Sequence, residues 1–127
     1  MQDHPHPELL VAATADFLKR EILPLTEGAR SFHLRVALKA LELVTRQLKL
    51  ANRSDAAEMQ RLEMLLGRQG SLEDLNGVLC DLIARGDFTL ATPGLKDHLW
   101  ATTMAKLAVD QPNYASYRHT LEAEARR

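Results

Sequence analysis

The chain has 127 residues, 46% of them apolar and 26% charged, with 16 basic against 17 acidic side chains. That is the size and balance of one globular domain. The near-neutral charge, with aromatic residues at only 5%, argues against a nucleic-acid surface, which needs a basic face or a stacking platform.

No run approaches the ~18 apolar residues of a membrane span. Residues 1–7 are polar rather than a basic stretch followed by an apolar one, so no secretory signal is read there. The single cysteine, Cys80, allows no internal disulfide. A cytoplasmic protein is the expectation. Leucine occurs 23 times and alanine 17, and both are good helix formers.

A first helix is predicted from Pro7, whose missing N–H suits a first helical position, to the stop imposed by Pro24. A second runs from about Ala29 or Ser31 to Leu50, with Phe32, Val36, Ala40, Val44 and Leu48 recurring every four residues and Asn52 as its terminator. Ser54 reads as the N-cap of a third helix that carries Leu62, Leu65 and Leu66 and ends at Gly67 or Gly70. A capping-box-like Ser71-Leu72-Glu73-Asp74 opens a fourth, ended by Gly86. Its Asn76-Gly77 pair is also a hairpin signal, but the surrounding apolar period is helical, and a close-passing neighbour would explain the glycine. Residues 87–91 read as an extended connector. Thr92 and Pro93 then start a fifth helix, which Pro112 ends near Asp110. The sum is an all-α, single-domain up-down bundle of about five helices over residues 1–127, with a flexible N-terminus (1–6) and a short tail helix frayed over 118–127.

Little in this pattern carries chemistry. His4 and His6 precede the first helix, and His119 with Glu122 makes one isolated pair on the tail, so no metal site is expected. Cys80 follows Leu79 inside a helix, where a cysteine is a small buried hydrophobe rather than a nucleophile. No phosphate-cradling glycine loop occurs, so no catalytic residue and no cofactor is assigned. Two patches stand out. One is Arg30 to Arg35, where His33 shares a face with Arg30. The other runs from Lys106 to Tyr117, with Lys106 and Asp110 four residues apart and Tyr114 and Tyr117 beyond Pro112. Tyrosine hydroxyls tied to Asp110 or His33 would make a C-terminal lock, in which Asp110→Ala costs ~1–3 kcal/mol.

The strings Phe32-His33, Arg35-Val36-Ala37, Ala105 to Pro112 and Tyr114-Ala115-Ser116-Tyr117, with the start from His6-Pro7 to Phe17-Leu18, resemble a family of small bacterial proteins of unknown function. Lys39 stands where that family's pattern has Asn. Members are typically encoded beside aminoglycoside-phosphotransferase-like kinases and acyl-CoA dehydrogenases. The resemblance therefore implies an accessory role in acyl-CoA metabolism, by association alone. The reading is a non-catalytic accessory or interaction protein, with a phosphotransferase-like kinase or an acyl-CoA dehydrogenase as partner. A homodimer is also expected where the Leu-rich chain leaves an apolar stripe exposed. The alternative is a small-molecule binder or enzyme whose polar pocket draws on His33, Arg35, Lys106, Asp110, Tyr114 and Tyr117.

Overall fold

The computed structural model describes residues 4–126, and all regular structure among them is helical. The α-helices in chain order are α1 (Pro7–Phe17), α2 (Gly28–Leu66), α3 (Leu72–Arg85), α4 (Leu95–Asp110) and α5 (Ala115–Glu124). The expected all-α class is what the chain adopts. Its contacts divide it into two compact units, Met1–Ala51 and Asn52–Arg127.

In the first unit α1 lies against the first half of α2. Ala15, Leu38 and Thr45 are buried in this unit, and Lys19, just beyond α1, meets Glu42 at 3.8 Å. Pro24 does not stop the helix abruptly. The chain widens into a π-helical turn, Leu18–Ile22, and then tightens into a 3-10 turn, Leu23–Leu25. The Leu23 N–H reaches back five residues to the Leu18 carbonyl, which carries the chain around the position where a proline ring clashes with an α-helical turn. Of the N-terminus read as flexible, residues 1–3 lie outside the described residues.

One boundary read from the sequence is corrected. Asn52 does not terminate a helix and Ser54 is not an N-cap, because both lie inside α2. No glycine or proline occurs between Ala29 and Leu66, and Asn or Ser costs a helix only a few tenths of a kcal/mol, too little to break it unaided.

The second unit closes a core around Leu62 of α2, Leu75 and Leu79 of α3, and Leu95 of α4, with Met59, Leu65, Leu66, Leu72 and Phe88 packed against them. Leu62 and Leu75 are fully buried. The capping box at α3 takes an altered form. The Asp74 N–H donates to Ser71 Oγ (3.1 Å), while Ser71 Oγ–H donates to the Asp74 carboxylate (2.6 Å) instead of leaving that carboxylate to the N-cap amide. Gly86 ends α3 at φ +78°, a left-handed turn open to glycine. Residues 87–91 bend and turn rather than extend. Thr92 Oγ1 accepts from the Thr89 N–H (3.0 Å) in that turn, so it does not cap α4, whose N-cap is Gly94. Cys80 is exposed rather than buried.

The Asn76-Gly77 pair is helical, as the apolar period required. The reason offered for its glycine fails, because a Cβ at Gly77 would meet nothing within 4 Å. Gly77 therefore loosens α3 without a packing return. Gly77→Ala is expected to raise unfolding free energy by about 0.5–1 kcal/mol, read as a higher denaturation midpoint at unchanged m-value.

Candidate functional site

The six residues singled out in the sequence fall into two groups. His33 and Arg35 are exposed on α2 in the first unit, where the Phe32 ring stands edge-on to His33 with centroids 5.8 Å apart. Lys106 and Asp110 are exposed on the last turns of α4, Tyr114 is the exposed N-cap of α5, and Tyr117 is half-buried in its first turn. Among the described residues no ion pair joins Lys106 to Asp110, and no hydrogen bond ties either tyrosine hydroxyl to Asp110. The Asp110 form of the tyrosine lock is therefore not made among the described residues. Asp110→Ala is now expected to shift stability by less than about 0.5 kcal/mol, the range of an exposed substitution, measured by thermal melting.

The polar cluster of the second unit lies elsewhere. The buried stripe of α4 runs through Leu95, His98, Thr102, Ala105 and Val109, a spacing of alternating threes and fours. It thus carries a histidine into the interior. His98 is 3% exposed, and its Nδ1 has no hydrogen-bond partner. Two more buried polar atoms are also without partners, Arg61 Nε on α2 and Thr102 Oγ1 one turn beyond His98. A buried polar atom left unpaired costs about 1–3 kcal/mol, so each of these three, all in the second unit, is a place where a further partner would be favourable.

The electrostatics agree. Burial chiefly, and the positive Arg61 next, hold the His98 pKa below its ordinary value of 6.5, against an opposing pull from Glu58. Glu58 is itself fixed by Asn76, whose Nδ2 donates to it at 2.8 Å. At neutral pH His98 is therefore a neutral imidazole, able to donate at one nitrogen and accept at the other.

Arg61 and His98 stand in the wall of a cavity of about 310 Å³, completed by Met64, Leu65, Pro93, Gly94 and Asp97. Gly94 shapes the rim at φ +84°, and a Cβ there would lie 3.6 Å from Leu65 Cδ1. Neither Arg61 nor Asp97 has an ion-pair partner among the described residues. The cavity so combines one free cation, one free carboxylate, a neutral hydrogen-bonding ring and apolar walls. No group of three or more metal-ligating side chains occurs among the described residues. None of the described helices is long and apolar enough to cross a membrane.

The sequence reading missed Arg61, Asp97 and His98. One local signal was available, the coincidence of His98 with the Leu95–Val109 stripe. Leu99 and Trp100, both exposed, compete with that stripe as apolar positions beside it.

A family model described as a domain of unknown function, DUF6285, matches residues 24–114. That span includes every residue of the cavity wall. No curated protein and no solved structure shows significant similarity to the chain.

Proposed function

The chain belongs to the DUF6285 family, a domain of unknown function, and we propose that it acts as a non-catalytic accessory protein that assembles with itself through its first unit. One observation carries this reading, the apolar face of α2 that points away from α1. Val36, Leu43 and Leu50 recur at seven-residue intervals, Phe32 precedes Val36 by one turn, and all four are exposed, Phe32 by 64% and Val36 by 53%. At 100° per residue they lie across the helix from the buried Leu38 and Thr45, of which Thr45 shares a cavity wall with Ala12 and Ala15 of α1. Apolar residues recurring every seven positions on an exposed face are the spacing with which one helix meets another. A hairpin of two helices closes no core of its own, and two such hairpins related by a twofold axis make a four-helix bundle.

Sedimentation equilibrium tests this. The expected mass is that of a dimer, and Val36→Glu with Leu43→Glu is expected to give a monomer with undiminished helical circular dichroism. A monomer at every concentration, or a dimer indifferent to both substitutions, would overturn it. The external partner proposed for this accessory role is a phosphotransferase-like kinase or an acyl-CoA dehydrogenase, a reading supported only by the family association that the Phe32–Ala37 and Ala105–Tyr117 strings carry. Co-purification of the dimer with one of these two is the expected result, and recovery with neither removes the link to acyl-CoA metabolism.

A further inference from the structure

We infer that the cavity between the second half of α2 and the start of α4 binds a small zwitterion with an apolar side chain, of the class of a free apolar amino acid. The argument starts from charge. Arg61 and Asp97 face one cavity, carry opposite charges and have no ion-pair partner among the described residues. A simple carboxylate would satisfy Arg61 and meet repulsion from Asp97; a simple amine would do the reverse. A molecule bearing both groups neutralises both walls, and a guanidinium is the side chain best shaped to take a carboxylate through two parallel hydrogen bonds.

The remaining surfaces fit the same class. Met64, Leu65 and Pro93 offer an apolar wall for an aliphatic side chain. His98 is buried and neutral beside them, with Nδ1 unpartnered, which adds a hydrogen-bonding group without a third charge. A volume of about 310 Å³ lies at the small end of ligand pockets, enough for one amino acid and too little for a nucleotide. The inference is independent of the dimer, since every residue it uses belongs to the second unit.

The test is an NMR amide titration of the full chain with leucine, isocaproate (leucine without its amine) and isoamylamine (leucine without its carboxylate). Leucine is expected to give saturable shifts around Arg61 and His98 at millimolar concentration, and each analogue to bind about tenfold more weakly or worse, as loss of one charge-assisted contact implies. Arg61→Gln is expected to weaken leucine and to strengthen isoamylamine, whose ammonium no longer meets the guanidinium. Asp97→Asn is expected to weaken leucine and to strengthen isocaproate, whose carboxylate no longer meets a like charge; Asp97 is exposed, so this variant keeps its fold even if Arg61→Gln does not. Equal binding of leucine and isocaproate would overturn the zwitterion. Shifts absent, or scattered away from Arg61 and His98, would overturn the site.

Discussion

Leu62→Ala is expected to lower the unfolding free energy of the second unit by about 2–5 kcal/mol. Leu62 has no exposed surface and sits where α2, α3 and α4 meet, against Leu75, Leu79 and Leu95. Deleting its branched end removes transfer free energy and leaves a void. The flanking leucines start from rigid helices and collapse into that void only in part. The midpoint of thermal unfolding is expected to fall by roughly 4–8 °C for each kcal/mol lost. Leu121→Ala on α5, where the leucine is exposed, is the control and is expected to change stability by no more than about 0.5 kcal/mol. Equal effects of the two would place the core elsewhere. Arg61 is the residue before Leu62, so one turn of α2 supplies both the centre of the core and the cation of the cavity.

This adjacency explains what the sequence revealed and what it hid. Helices α3 and α4 were legible because leucine spacing, Ser71 and Gly86 are local signals, each acting within a few residues. The join of two expected helices into α2 was hidden because Asn52 and Ser54 are weak helix formers and also good caps; only the missing Gly or Pro argued for continuity. The cavity was harder still. Arg61 and His98 are far apart in the chain, and nothing in either local pattern announces the other. What brings them together is the packing of Leu62 on Leu95, a tertiary event. The tyrosines were conspicuous because the chain has only two, and Asp110 because it stands where Pro112 ends a helix. A polar residue at a helix end is often only solvated, whereas one on a buried stripe, as His98 is, has to be accounted for.

That accounting gives the last prediction, a loss of stability in mild acid traceable to His98. In the unfolded chain its imidazole titrates near the ordinary value of 6.5, while burial and Arg61 hold the folded value below that. As pH falls through 6.5 the unfolded chain takes up a proton that the folded chain still refuses, so the balance moves toward unfolding. Stability from this group is therefore complete above about 6.5, declines as pH is lowered through it, and levels off once pH is below the folded value. The groups facing the ring fix the direction of each perturbation. Arg61→Gln removes a lowering influence and is expected to shrink the decline; Glu58→Gln removes a raising one and is expected to deepen it. Asp97 adjoins His98 on α4 and is exposed. Thermal melts from about pH 5 to 8 of wild type and His98→Gln isolate the effect, because the other titrating groups are common to both. Wild type is expected to lose more of its melting temperature than His98→Gln over the acid half of that range. Parallel curves would mean that His98 is as free to take up a proton in the folded protein as in the unfolded chain, and the neutral, buried imidazole of the cavity wall would have to be abandoned.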